Sequence, residues 1–406
     1  MPTRTPAAIV TVGSELLEGL RLDTNTREIA ASLAAGGYVA REAVSVGDDV
    51  RLLAETLRRL TASYALVVVT GGLGPTHDDI TRDAVSRALG LPLAPDAALA
   101  ERLAAIAARH VRPDAAYQVE NQALILEGAQ VLAPESGTAP GQVLATPSGR
   151  LVLLPGPPHE MRPMLHEVLE GSPVVPPPRI FSCVGLSESD AQMAAQEAIG
   201  DLDVSLTVLA TPGLVDVVLV DMGAGAQVVD SAADRVRSAL GDHCFAEDGR
   251  SLAATVLDLM RREGMTLAVA ESCTGGMLST ALTDVPGASD VFLGGVVAYA
   301  NEVKRQLLGV SEATLSGHGA VSGPSAEEMA LGVLESLQAS LAVSLTGIAG
   351  PQGGTSEKPV GLVWFAVADA DGVQALQRRL FGDRTGVRTR AAVNALDLVR
   401  RHVLGL

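Results

Sequence analysis

Only two of the thirty Lys and Arg residues in this chain are lysines, Lys304 and Lys358. A lysine retained where arginine is otherwise used is able to lose its proton, which arginine cannot do, although chance retention is the plain alternative. Lys304 falls in the first turn of a helical pattern opened by Asn301, directly after the strand-like run Val296-Val297-Ala298-Tyr299. The helix macrodipole at that place lowers its pKa toward that of a usable base. Upstream, the run Thr266–Ala270 stops at Glu271-Ser272-Cys273-Thr274-Gly275-Gly276, and a helical pattern resumes at Met277. A serine on such a strand-to-helix turn sits beside free helix N–H groups, which suit a phosphate or a developing oxyanion. Ser272 with Lys304 as base would form a nucleophilic pair that needs no histidine. Tyr299 is placed to relay the proton or to pack on a substrate ring. Taken alone, Ser272 reads more readily as a helix cap, and Lys304 and Tyr299 as a surface lysine and a half-buried tyrosine. Cys273 is the rival nucleophile, and it stands where a small apolar residue would pack.

Two more segments belong to the same end of the chain. Thr346-Gly347-Ile348-Ala349-Gly350-Pro351 follows a buried strand and leads into a loop rich in glycine, Gly353 to Gly361. Such a loop wraps a small ligand or is simply a long turn. Phe381-Gly382-Asp383-Arg384, with Arg388 one helical turn on, offers two guanidiniums on one face for a phosphate, with surface salt bridging as the alternative.

Near the other end, Leu66–Thr70 runs into Gly71-Gly72-Leu73-Gly74-Pro75-Thr76-His77-Asp78-Asp79. A buried strand, a glycine loop and a helix make a phosphate cradle from Gly71, Gly72, Gly74 and Thr76. Thr76 with Asp79 also approximates a capping box, which explains both without a ligand. Asp78 faces no such structural demand and suits Mg²⁺ beside a diphosphate. Glu15, after the first strand, and Glu160, after Leu151–Leu154, add carboxylates at the same sheet edge.

The elements that must position these residues fall into three segments, 1–171, 172–248 and 249–406. In the first, strands at Ala7–Val12, Tyr64–Thr70 and Leu151–Leu154 alternate with helices around Thr26–Ala35 and from Asp79. That rhythm predicts a doubly wound, mostly parallel sheet. The proline run 174–178 reads as a linker. The second segment predicts a small α+β module, with strands Ile180–Val184 and Val215–Val220 and helices Asp190–Ile199 and Ala226–Leu240. The third opens with Ser251 as a helix N-cap and continues with strands at Thr266–Glu271, Phe292–Tyr299, Leu341–Leu345 and Val360–Val367. A closing helix runs from about Gly386 to Val403.

Composition bounds the function. At 406 residues and 47% hydrophobic content the chain can bury several cores, packed by Leu, Val and Ala because aromatics make up 2%. The net charge of −17 argues against a nucleic-acid partner, so anionic ligands must be held by backbone amides and a few placed arginines. No apolar run reaches the length of a membrane span and the first residues lack the apolar stretch of a signal peptide, so a cytoplasmic protein is expected. Cys183, Cys244 and Cys273 show neither metal-ligand spacing nor a disulfide framework.

Ala-Glu-Ser-Cys-Thr-Gly-Gly, Tyr-Ala-Asn-Glu-Val-Lys, Thr-Gly-Ile-Ala-Gly-Pro, Glu-Lys-Pro-Val-Gly and Gly-Asp-Arg follow one another in this order. Together they resemble the nicotinamide-nucleotide amidase domain, which converts nicotinamide mononucleotide (NMN) and water to nicotinic acid mononucleotide and ammonia. The resemblance implies a reactive centre of Ser272, Tyr299 and Lys304. It places Thr274, Gly275, Gly276, Thr346, Gly347 and Gly350 around the substrate and Arg384 or Arg388 on its phosphate, and it implies no cofactor for this domain. Gly-Ser-Glu-Leu-Leu, Asp23-Thr24-Asn25-Thr26, the Gly71–Thr81 loop and Leu-Pro-Gly-Pro-Pro-x-Glu-Met resemble the molybdopterin-binding-like domain of the competence/damage-inducible (CinA) family. That resemblance implies divalent-metal-dependent hydrolysis of ADP-ribose, with Asp78, Asp79 and Glu15 as metal candidates and Asn25 at the ligand, in a dimeric protein. Pterin or adenylate binding without catalysis is the alternative the fold suggests, and a competence accessory acting through protein contacts is a third reading. The middle segment resembles the family's small KH-like module, but its turn reads Gly185-Leu186-Ser187-Glu188-Ser189, and no Gly-x-x-Gly clamp is present. Three arginines against twelve acids there make RNA binding a poor fit, and a spacer or dimer-forming role fits better.

Overall fold

The computed structural model describes residues 4–110, 119–134, 137–172, 175, 177–221 and 225–406. The chain forms two compact units, which part at Pro177/Pro178. The expected linker at 174–178 falls at this division, and part of it lies outside the described residues.

The first unit is an α/β layer structure. Strands Tyr38–Val46, Thr5–Val12, Leu66–Thr70 and Gly149–Leu154 lie side by side and parallel. Gly141–Thr146 and Gln130–Leu132 add an antiparallel edge. Successive side chains of a strand point to opposite faces, and this sequence makes both faces apolar. Ala8, Val10, Val67 and Val69 pack under Leu53, Leu57 and Val85 of helices Val50–Ser63 and Thr81–Leu89. Ala7, Ile9, Leu66 and Val68 pack under Ile29, Leu33, Met161 and Leu165 of helices Asn25–Ala35 and Pro158–Leu169. The expected doubly wound sheet is present. The strand Tyr38–Val46 and the antiparallel pair were not foreseen, since polar residues interrupt them and none forms a continuous apolar run.

The second unit contains two sheets. Val204–Thr211, Leu214–Asp221, Arg179–Val184 and Cys244–Ala246 form an antiparallel sheet, with helices Glu188–Ile199 and Ala226–Leu240 packed on it through Ala191, Ala195, Ala232 and Val236. The larger sheet orders Phe292–Val297, Leu267–Glu271 and Leu341–Gly347 in parallel, followed by antiparallel Leu362–Asp369 and Gly372–Arg379. Helices Leu252–Arg262, Met277–Thr283 and Arg384–Leu404 cover one face. Helices Asn301–Leu308 and Gly323–Leu337 cover the other, packing against Ala268, Ala270 and Ala342. Ser251 caps the helix Leu252–Arg262 as expected, its hydroxyl accepting from the Ala254 amide. Among the described residues no helix is long and apolar enough to cross a membrane.

Candidate functional site

Two adjacent parallel strands of the larger sheet end in the turns that carry Ser272 and Lys304. Glu271, the last residue of its strand, is completely buried. Its carboxylate accepts the amides of Gly276, Leu278 and Ser279 at 3.1, 3.0 and 2.8 Å and the Ser279 hydroxyl at 2.6 Å. A carboxylate held by helix-start amides is favoured by both hydrogen bonding and the macrodipole. Glu271 therefore does the capping that the sequence assigned with equal ease to Ser272. It also occupies amides expected to receive an oxyanion or phosphate. That expectation fails for Gly276, Leu278 and Ser279.

Ser272 is left free for another partner. Its backbone N–H donates to Leu345 O on the neighbouring strand at 3.0 Å, which fixes the residue, and its hydroxyl lies 2.9 Å from Lys304 Nζ. Lys304 is buried, with only 1% of its surface exposed. Its Nζ also donates to the carbonyls of Ala298 at 2.7 Å and Tyr299 at 3.3 Å. Among the described residues no carboxylate pairs with it. A desolvated amine without a counter-charge favours its neutral form, and burial pushes the Lys304 pKa below its ordinary value. Burial thus lowers this pKa in the direction expected from sequence. In the neutral state two N–H groups serve the two carbonyls and the lone pair faces the serine O–H.

Tyr299 departs from expectation. It lies beyond the end of strand Phe292–Val297, is 63% exposed, and its hydroxyl accepts from Arg384 Nη2 at 3.2 Å. Its backbone carbonyl, and not its hydroxyl, is hydrogen-bonded to Lys304. Arg384 also donates to Gly350 O at 2.8 Å, and Arg388 donates to Thr274 O at 2.6 Å. The two guanidiniums, one turn apart on helix Arg384–Leu404, thus brace the two loops that flank Ser272. Thr274 is fully buried, and among the described residues its Oγ1 and the Arg388 Nε have no partner. Lys358, by contrast, is spent on the carbonyl of His318 at 2.6 Å.

The remaining residues of the set also meet packing demands. Thr346 is buried, and its hydroxyl donates to Ala320 O at 2.8 Å. A Cβ on Gly347 would come within 2.8 Å of Leu362 O, and one on Gly350, at φ +77°, within 2.5 Å of Val360. These glycines allow strands and loops to pack together. Gly275 and Gly276, at φ +61° and +96°, supply the left-handed turn that lets Glu271 reach the helix start. Cys273 belongs to the core beneath helix Arg384–Leu404, and burial pushes its thiol up to about 11. It holds no thiolate at neutral pH, in line with the structural reading.

In the first unit, loops at the carboxyl ends of the parallel strands enclose a cavity of about 580 Å³. Thr11, Asn25, Thr70–Pro75, Thr138 and Pro155–Pro158 line it, with Glu15, Asp23, Asp79 and Glu160 as acids and Arg21 as the one base among its described lining residues. The Asn25 amide donates to Thr70 Oγ1 at 3.1 Å and to Gly156 O at 2.7 Å. Both N–H groups are therefore committed, and its Oδ1 is a buried acceptor with no partner among the described residues. Glu160 is pushed upward in pKa by burial, opposed by the amides of Ala139 and Thr138. Gly71 and Gly72 have positive φ, and a Cβ on them would strike Val12 O and Thr81 Oγ1. The loop is held from beneath by Arg82, a buried residue that sequence reasoning missed. Its guanidinium donates to Leu73 O at 2.8 Å and Gly74 O at 3.0 Å, and burial lowers its pKa.

The expected metal ligands are not all brought together. Asp78 is exposed and pairs with His77 at 2.9 Å, outside the cavity lining. Asp79 accepts the Thr76 amide and hydroxyl at 2.7 and 2.6 Å, which is the capping alternative for both residues. Glu15 and Asp79 line the same cavity, but Asp78 does not. Among the described residues no group of three His, Cys, Asp or Glu side chains is arranged to hold a metal ion. The residues present do not fit a preformed divalent site.

Comparison with known proteins agrees with this division. Residues 249–403 match the family model described as "CinA C-terminal domain", and residues 8–176 match "Probable molybdopterin binding domain". A CinA-like protein of Thermotoga sp. (strain RQ2) is 36% identical, with 98% of each chain covered. A putative competence-damage inducible protein of Symbiobacterium thermophilum is 40% identical, covering 98% of this chain and 99% of that one. The solved structure of a competence/damage inducible protein from Agrobacterium tumefaciens is 42% identical over 37% of this chain and 92% of its own, with a TM-score of 0.36. Related along almost its whole length to proteins of one kind, this chain belongs to the CinA family.

Proposed function

We propose that the chain is a hydrolase of pyridine-nucleotide salvage whose C-terminal part deamidates NMN. The observation that carries this reading is the buried 2.9 Å contact between Lys304 Nζ and Ser272 Oγ, made without any carboxylate partner for the lysine among the described residues. Neutral Lys304 takes the Ser272 proton as Oγ bonds to the carboxamide carbon. The amides of Cys273 and Thr274, which follow Ser272 in the turn, adjoin the nucleophile as donors for the oxyanion. Lys304 returns the proton to the departing nitrogen and ammonia leaves, so that a nicotinoyl ester remains on Ser272. Water, deprotonated by the same lysine, attacks that ester, and Lys304 returns the proton to Oγ as the C–Oγ bond breaks to release nicotinic acid mononucleotide. Arg384 and Arg388 supply the positive charge that receives the substrate phosphate. Ammonia release from NMN by the full-length protein tests the reading, and an inactive wild-type protein would overturn it.

For the first unit the reading is a nucleotide site for ADP-ribose, hydrolysed to AMP and ribose 5-phosphate in the presence of a divalent ion. Because the described residues hold no preformed ligand set, that ion would have to arrive with the diphosphate. The same observation favours a second reading, nucleotide or pterin binding without catalysis. AMP release from ADP-ribose, with and without Mg²⁺, separates the two. The proposed enzyme is a cytoplasmic homodimer that acts on small nucleotides, with no nucleic-acid or membrane partner. Sedimentation of the purified chain tests its dimeric state.

A further inference from the structure

A second cavity, of about 650 Å³, lies within the C-terminal unit, between its small antiparallel sheet and helix Arg384–Leu404. The turn Val184–Glu188, the hairpin end Ala210–Val215 and His243 form one wall, and Arg378, Leu380, Phe381, Arg390, Asn394 and Arg401 line the other. The Gly185–Ser189 turn that departs from the family pattern opens here into helix Glu188–Ile199. Ser187 caps that helix by accepting the Asp190 amide, which leaves the earlier amides of the first turn without helical partners.

Charge makes the cavity unusual in so acidic a chain. Of the two carboxylates that line it, Asp397 is already held by Arg400 at 2.8 Å and Arg401 at 2.9 Å, and Glu188 stands in the first turn of helix Glu188–Ile199. Arg378 and Arg390 have no carboxylate partner among the described residues. Arg390 instead stands 4.1 Å over the ring of Phe381, a side chain that is 72% exposed. Two uncompensated guanidiniums and a helix start provide for a phosphate. An exposed phenyl ring beside Leu186, Leu214 and Leu380 provides for a flat, apolar group.

We propose that this cavity binds a nucleoside monophosphate and that its occupancy is felt at the Ser272 centre. The link is short. Phe381 and Gly382, the latter at φ +110°, precede Asp383, which caps helix Arg384–Leu404 by accepting the Gly386 amide at 2.7 Å. The next residue, Arg384, holds Gly350 O and the Tyr299 hydroxyl. A ligand that clamps Arg390 and Phe381 therefore restrains the segment that positions Arg384.

Calorimetric titration of the full-length protein with AMP tests this, with inorganic phosphate as the control for the headgroup alone. The Arg378→Ala/Arg390→Ala variant should lose one AMP equivalent, or bind it at least tenfold more weakly, while the Lys304→Arg and Asn25→Ala variants keep that equivalent. Arg378→Ala alone, at an exposed position that does not endanger folding, should weaken it several-fold. Unchanged AMP binding in the double variant overturns the proposal, and so does loss of all AMP binding in Asn25→Ala. These readouts need no amidase activity, so the NMN reading and this one fail separately.

Discussion

Glu271 holds the helix start that Ser272 would otherwise cap, and this division of labour between adjacent residues leaves the serine hydroxyl 2.9 Å from Lys304 Nζ. The carboxylate and the nucleophile are thus separable by mutation. Glu271→Ala removes the carboxylate that accepts from three amides and a hydroxyl in a fully buried place and should cost about 3 kcal/mol of stability. Urea denaturation reads that loss. Ser272→Ala should unfold at the same urea concentration as wild type within experimental scatter and lose NMN deamidation by roughly a thousandfold or more.

Lys304 must be neutral to act as a base, and burial lowers its pKa from the ordinary lysine value. The rate should therefore rise with pH as the buried amine deprotonates and level off below pH 10.5, where an unperturbed lysine would only begin to do so. The stability sign follows from the same shift. The unfolded chain binds the proton more tightly, so Lys304 destabilises the fold at low pH, and that cost fades as pH rises toward the unfolded pKa. Lys304→Arg keeps a permanent charge and should be inactive across the whole profile. A retained ascending limb in that variant would assign the base elsewhere.

Cys273 is buried with its thiol raised to about 11, and it packs in the core. Cys273→Ala should keep kcat within about threefold of wild type and lower stability by about 1 kcal/mol for the lost sulfur contacts. Alkylation of the native protein at neutral pH should be slow at this position by peptide mapping. Rapid labelling of Cys273 accompanied by loss of turnover would make it the nucleophile.

The Tyr299 hydroxyl faces Arg384 and not the Ser272–Lys304 pair. Tyr299→Phe should therefore raise KM for NMN a few-fold through looser placement of Arg384, with kcat nearly unchanged. A hundredfold fall in kcat would restore the relay.

In the first unit, Asn25 is locked by Thr70 and Gly156 with its acceptor buried, whereas Asp78 is exposed beside His77. ADP-ribose affinity, measured by equilibrium dialysis, should fall at least tenfold in Asn25→Ala and change less than threefold in Asp78→Ala. The reverse order would return Asp78 to the ligand.

The pairing of Ser272 with Lys304 could be read from sequence because both follow strand runs, and neighbouring parallel strands deliver their following turns to the same sheet edge. The apolar runs at Ala7–Val12, Leu66–Thr70 and Thr266–Glu271 likewise declared themselves as buried strands, while the half-exposed strands Tyr38–Val46 and Gly141–Thr146 carried no such signal. Residue type and spacing along one element are local properties, and they determined the α/β class, the candidate nucleophile and its base. Only the tertiary structure decided which group caps the helix, since Glu271, Ser272 and the glycines all offer themselves locally and the choice depends on which side chain is buried beneath the turn. Burial also supplied the cause of the lowered Lys304 pKa. Proximity in the fold gave Tyr299 to Arg384, brought Asp79 to the cavity that Glu15 lines, and left Asp78 outside it. Those relations join segments distant in sequence, where no periodicity or spacing records them.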